Sequence, residues 1–270
     1  MNFQNSNFNT TFGAITPATL GSLAGVLLVM VTSYVFSNIC FPRHRPIRAR
    51  ILFIWHAFDA GIHIFVELPW LYHTFFSWVA APKPGENATS AKESFTMPGV
   101  YFLGHKDRLY GIQYASSPWA SLWKEYAKAD RRVSGADPVV VCLELICVFI
   151  MTPLAIHICY LLWHGKDRRA GFWMTIVAAC ELCMGKSKSA ALFGSGQKLT
   201  WFLGIINFGP EGLTEWPNLD ISNALYLWVY LIFFNAFLWV VAPLWVLWES
   251  YRVISSPLEI QSGMAPKKRM

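Results

Sequence analysis

The run Ile51-Leu-Phe-Ile-Trp-His56-Ala-Phe-Asp59-Ala-Gly-Ile-His63-Ile-Phe-Val-Glu67-Leu-Pro-Trp-Leu-Tyr-His-Thr-Phe-Phe-Ser-Trp-Val79 is almost unbrokenly apolar. Four ionisable side chains, His56, Asp59, His63 and Glu67, nevertheless recur in it at intervals of three and four residues. At about 1.5 Å of rise per residue, such a helix crosses a hydrocarbon core about 30 Å thick. The spacing puts all four ionisable groups on one face. An aspartate at membrane depth costs at least about 2.5 kcal/mol on insertion scales, so that face is expected to look into a protein interior and to mark a site. The competing role for such a stripe is hydrogen-bonded glue between helices.

Working outward, four more stretches read as membrane spans: Thr19 to Cys40, Pro138 to Trp163, a segment that starts near Ala170 and blurs after Met184, and Ala224 to Trp248. With 54% hydrophobic and 14% charged residues, the chain holds more apolar surface than a soluble domain can bury. The expected fold is an all-α integral membrane protein, a bundle of five transmembrane helices enclosing a hydrophobic cavity. Three regions are expected. Residues 1–50 hold a luminal N-terminus, the first span and a basic cytoplasmic loop, residues 51–250 a four-helix transmembrane domain, and residues 251–270 a basic cytoplasmic tail.

The net charge of +6 is placed as topology rather than as a nucleic-acid surface. Arg43, Arg45, Arg48 and Arg50 follow the first span, Lys166, Arg168 and Arg169 the third, and Arg252 with Lys267, Lys268 and Arg269 the fifth. The positive-inside rule makes those segments cytoplasmic and the loop from Ala80 to Asp137 luminal. The sequons at Asn9 and Asn87 fall on the luminal side, and the Lys267-Lys268-Arg269-Met270 ending resembles a dilysine retrieval signal read in the cytosol, which together point to the endoplasmic reticulum. The polar start, Met1 to Thr11, lacks the basic region of a cleavable signal peptide, so the first span is expected to remain. Cys142, Cys147, Cys159, Cys180 and Cys183 lie within apolar spans and Cys40 ends one, which argues against a disulfide framework. The Cys180-x-x-Cys183 pair reads as buried, unreactive thiols.

Further candidates follow the same logic. Glu144 stands alone among Val141, Leu143 and Leu145, with Asp137 two turns earlier. A buried carboxylic acid is either protonated or paired. In the last span Asn235 and Trp239 are one turn apart, with Trp228 earlier and Tyr226 and Tyr230 around it. A tryptophan face shielded from water stabilises a cation by about 2 kcal/mol. Acid, base and aromatic wall together suit protonation of an alkene and removal of a different proton from the resulting carbocation. No phosphate-binding loop, strand pattern or redox cofactor motif is visible. The His63-x-x-x-Glu67 pair lacks the fuller ligand set of a metal helix, so no metal and no cofactor are expected.

The segment Leu122-Trp-Lys-Glu-Tyr126-Ala-Lys-Ala-Asp130-Arg-Arg132 resembles the L-W-K-E-Y-A-K-x-D run of the emopamil-binding-protein family of the EXPERA superfamily. Ile62-His63 to Glu67, Val141-Cys142-Leu143-Glu144 and Tyr226 to Trp239 are similar to further family segments, so the resemblance covers roughly Phe53 to Leu247. It implies a sterol double-bond isomerase working without a cofactor, with His63, Glu67 and Glu144 in acid-base roles. Asp59, Tyr126, Asp130, Cys147, Trp228, Asn235 and Trp239 are then expected around the substrate. The expected partners are a sterol or terpenoid substrate and membrane lipid, not nucleic acid, and a homodimer is left open.

Four departures stand out. Cys147 replaces the family's threonine, Trp239 follows Asn235 by four residues rather than three, and the loop Pro82 to Pro118 is long and carries Tyr101, Phe102, Tyr110 and Tyr114. Gly185-Lys186 replaces the family's G-D, and the stretch after it, roughly Lys186 to Ile205, reads either as a genuine insert or as a retained intron. Two alternatives to the sterol isomerase are a terpene cyclase or double-bond isomerase on the same fold, and a non-catalytic sterol-binding or trafficking protein.

Overall fold

The computed structural model describes residues 15–42, 45–82, 100–184, 218–220 and 222–261, with the side chains of 184, 235, 236 and 256–261 outside that description. The sequons, the dilysine-type tail, Gly185-Lys186 and the stretch after it lie outside the described residues.

Helix α1, Pro17–Cys40, starts where Thr16 and Thr19 cap each other reciprocally and Pro17 takes the first helical position. Much of its apolar surface, including Leu27, Val31, Val35 and Ile39, points outward. That is where a lipid solvent puts it. Helix α2 covers Ile47–Phe76, and its apolar sides bury Phe53, Phe58 and Trp70 almost completely. The two helices cross closely at Gly61, where an added Cβ would stand 2.6 Å from Val29 Cγ1.

A short hairpin follows α2. Strand β1, Trp78–Ala80, pairs antiparallel with β2, Arg108–Tyr110, and the Arg108 guanidinium covers the Trp78 ring at 4.2 Å. Strands of three residues are too short to leave an alternating signature, which is why the sequence showed no strand pattern. Gly111 then turns with φ 147°, pressed so closely on Ser134 and Gly135 that a Cβ would meet both at 2.6 Å. Helix α3, Pro118–Tyr126, is capped by the Ser117 hydroxyl.

Helix α4, Pro138–Trp163, begins at Asp137, whose carboxylate accepts the Val139 and Val140 amides. Helix α5 is Asp167–Met184 and packs on α6, formed by Tyr226–Val241 in wide π-type turns and Ala242–Gln261 in α-turns. Among the described residues, four helices are long and apolar enough to cross a membrane: α1, α2, α4 and Tyr226–Ser255 of α6. The segment expected from near Ala170 as the fourth span forms helix α5, but Asp167, Arg168, Arg169 and Glu181 keep it out of that set.

The basic segments gather at one end. Arg45 meets Asp167 at 2.6 Å and the Leu162 carbonyl at 3.0 Å, while Arg48 and Arg252 both approach Glu249. Arg45, Arg48 and Arg252, drawn from the basic segments after the first and last spans, therefore lie at the same end as Asp167 at the start of α5.

One π turn interrupts each of the helices α2 and α4. In α2 the turn His63–Glu67 closes with the Leu68 amide donating to the His63 carbonyl, and in α4 the turn Cys147–Met151 closes with the Thr152 amide donating to the Cys147 carbonyl. Each turn immediately precedes a helical proline, Pro69 and Pro153. Proline offers no amide and its ring crowds the carbonyl four residues back, so a widened turn ahead of it relieves the ladder. The two π turns touch each other. Such turns recur at functional sites.

Candidate functional site

The π turn of α2 carries the densest group of buried ionisable side chains. His63 is 2% exposed and lies between two carboxylates, with Asp59 Oδ1 3.1 Å from Nε2 and Glu67 Oε2 2.5 Å from Nδ1. The widened turn spans His63 to Glu67, and Glu67 at its end also borders an open space. His56, one turn before Asp59, is fully buried, and neither ring nitrogen has a hydrogen-bond partner among the described residues. Glu144 is buried on α4.

Glu67 and Trp239 both line a cavity of about 490 Å³ between α1, α2, α3 and α6, within the size range of small-molecule sites, roughly 300–1,000 Å³. The rest of its wall is mainly apolar, including Val29, Phe58, Trp119, Leu122 and Phe234. Trp239 lies over the His63 imidazole, ring centroids 5.9 Å apart and planes 16° apart, and its edge meets Trp55. The longer spacing from Asn235 therefore leaves Trp239 at the cavity. The Asn235 side chain lies outside the described residues.

The L-W-K-E-Y run divides its work by face. Leu122, Trp123 and Tyr126 line the cavity, and the Trp123 indole donates to the Val66 carbonyl at 2.9 Å, tying α3 to the π turn. Glu125 turns the other way. It accepts from Thr19 at 2.8 Å, Thr16 at 3.2 Å and Lys128 at 2.6 Å, which fastens the start of α1. The Glu125 hydrogen bond raises the Lys128 ammonium above the usual lysine range. Opposite Tyr126, Tyr230 packs edge-on and meets the Ser22 hydroxyl at 3.0 Å. This hydroxyl pair is a polar spot on the apolar cavity wall.

Several expected substrate neighbours stand elsewhere. Asp130 is buried against Arg132, with contacts of 3.0 and 2.7 Å, and caps the turn that follows α3. It is a structural ion pair outside the cavity lining. Trp228 is 52% exposed on the outer surface of α6. Asp137 is the cap of α4, not a second acid beside Glu144, and its burial raises its carboxyl above the usual range. The six cysteines form no disulfide, and Cys142 and Cys183 are exposed, so the Cys180-x-x-Cys183 pair is not buried as expected. In the long loop, Phe102 packs on Phe75 and Tyr110 at the hairpin.

Two residues gain weight from the structure. Cys147, at the start of the α4 π turn, brings its thiol within 4.8 Å of ligand atoms of both His63 and Glu67. Glu181 of α5 is buried, within electrostatic reach of Asp59 and His63, and neither carboxyl oxygen has a hydrogen-bond partner among the described residues. Sequence reasoning passed over Glu181, although a single acid within Ala-Ala-Cys-Glu-Leu-Cys carries the signal that singled out Glu144.

Comparison with known proteins places this geometry. Residues 118–250 match the family described as EXPERA, the expanded EBP superfamily. The 3-beta-hydroxysteroid-Delta(8),Delta(7)-isomerase of Mus musculus is 27% identical over 148 residues, 55% of this chain and 55% of that protein. The chain thus matches about half the length of this curated relative. The family segment contains Tyr126, Glu144, Cys147 and Trp239, while the helix with His63 and Glu67 precedes it. Over residues 118–250, then, this chain carries a domain of the EXPERA superfamily, the family of the emopamil-binding protein.

Proposed function

We propose that the protein is a membrane-embedded isomerase that adds and removes a proton on a sterol-type carbon-carbon double bond through a carbocation, a cholestenol delta-isomerase-like reaction. The observation that carries this reading is the His63 imidazole held between Asp59 and Glu67 and covered by Trp239 at an apolar cavity. The family match and the name of the mouse relative support the substrate class.

The chemistry is redox-neutral and needs no cofactor. Glu67, facing the cavity, exchanges a proton with one alkene carbon, and His63 replenishes it from behind. Protonating one carbon leaves the positive charge on the other. Loss of a proton from the next carbon then shifts the double bond by one position. The opposite proton transfer is assigned to Glu144. Trp239 offers its π face to the cation, and the apolar wall keeps out water that would capture it. The substrate alcohol is placed at the Ser22 and Tyr230 hydroxyls. The five helices are read as one bundle around this cavity, in the endoplasmic reticulum membrane, with the carboxyl end cytoplasmic.

A second reading, a terpene cyclase or isomerase on the same fold, is favoured by Cys147 in place of the family's threonine. The test is expression in a yeast strain lacking its own sterol double-bond isomerase, with the extracted sterols read by mass spectrometry. Restored isomerisation that Glu67→Gln and Glu144→Gln both lose supports the sterol reaction. Correctly localised protein that restores none refutes it and sends the search to prenylated substrates.

A further inference from the structure

The sequence offered two donors, His63 and Glu67, too few for a metal. The contact between the two π turns adds a third. The ligand atoms of His63, Glu67 and Cys147 all lie within 4.8 Å of one another, and His63 and Glu67 are buried. Donors bound at roughly 2.0–2.3 Å around a tetrahedral zinc ion stand about 3.3–3.7 Å from each other. Small side-chain rotations therefore bring this set to a coordinating arrangement.

The surroundings favour the same outcome. A metal on Nδ1 needs an acceptor for the other ring nitrogen, and Asp59 Oδ1 stands 3.1 Å from Nε2. This carboxylate-histidine pairing orients metal-bound imidazoles generally. Glu67 opens on the cavity, which leaves a fourth coordination position for water or ligand. One nitrogen, one oxygen and one sulfur donor suit a borderline-soft cation and disfavour magnesium or calcium.

We propose that His63, Glu67 and Cys147 form a site for a divalent cation of the zinc class, with Asp59 as the outer partner, and that its occupancy shuts off proton transfer. Binding releases the Cys147 thiol proton and the proton held between His63 and Glu67, so the metal and the acid-base pair compete for the same lone pairs. The inhibitory half rests on the isomerase reading; the metal site itself does not. Cys147 is the deciding donor, because the family's threonine offers no thiolate.

The test uses the full chain purified in detergent and titrated with cobalt(II), which reports coordination without turnover. The expected result is one bound ion per chain, with a thiolate-to-cobalt charge-transfer band and the strong visible bands of four-coordinate cobalt, displaced by zinc. Cys147→Ser and Cys147→Thr, checked for folding by circular dichroism and melting temperature, lose the charge-transfer band. Cys142→Ser keeps it. Asp59→Asn weakens binding by about 10–100-fold. A folded wild-type chain without the band, or a band that survives both Cys147 variants, overturns the site. Where substrate turnover is measurable, zinc inhibits wild type reversibly and leaves the residual rate of Cys147→Thr unaffected. A metal site with no isomerisation would sink the isomerase reading alone.

Discussion

The Trp239 indole lies nearly parallel to the His63 imidazole, 16° between planes and 5.9 Å between centroids, so the aromatic wall and the carboxylate-flanked histidine are one packed unit. An aromatic face in a dry pocket is worth about 2 kcal/mol to a cation, or roughly thirtyfold in rate. Trp239→Ala is therefore expected to cut sterol isomerisation about thirtyfold or more, with Trp239→Phe recovering part of it. Equal rates for Phe and Ala at matched protein levels would show that Trp239 only fills space.

Asp59 Oδ1 stands 3.1 Å from His63 Nε2, and on the proposed function it acts through that imidazole. Exchanging the carboxylate for an amide keeps the shape and alters which tautomer and charge state the imidazole holds. Asp59→Asn should lower kcat about tenfold or more with little change in KM. A change confined to KM would place Asp59 in substrate binding instead.

Glu181 carries a buried carboxyl with no hydrogen-bond partner among the described residues. Such a group costs about 1–3 kcal/mol. Glu181→Leu is expected to raise the melting temperature in detergent. A fall would mean that Glu181 is ionised and stabilises a protonated His63.

The Thr19 hydroxyl donates to Glu125 at 2.8 Å, so Thr19→Val leaves a buried carboxylate short of one donor. Hydrogen bonds to charged groups contribute about 1.5–3 kcal/mol. Loss of stability on that scale is expected in thermal unfolding, together with faster proteolysis at the amino end of α1. An unchanged melting temperature would remove Glu125 as the anchor of that helix.

The long helices were legible because lipid-crossing segments need sustained apolar runs: Pro138 to Trp163 coincides with α4, and Ile51 to Val79 overlaps α2 with ends shifted by a few residues. The stripe from His56 to Glu67 was legible for the same reason, since charge in such a run stands out. What the pattern could not carry is contact between helices. Cys147 read only as a departure from the family's threonine until α4 was set against α2. Asp130 entered through resemblance and Trp228 through the aromatic density of the last span, and their side chains belong to an ion pair and to the outer surface. The π turns had a trace in Pro69 and Pro153, prolines inside runs that otherwise read as continuous helix.

Each π turn accommodates one residue more than an α-turn would. Deleting that residue would rotate everything beyond it by about 100°. Single-residue gaps at 63–67 or 147–151 in related sequences would therefore mark lineages in which this site was assembled or dismantled, even where the letters His, Glu and Cys persist. Homologues should be compared by the length of these two turns as well as by the residues they carry.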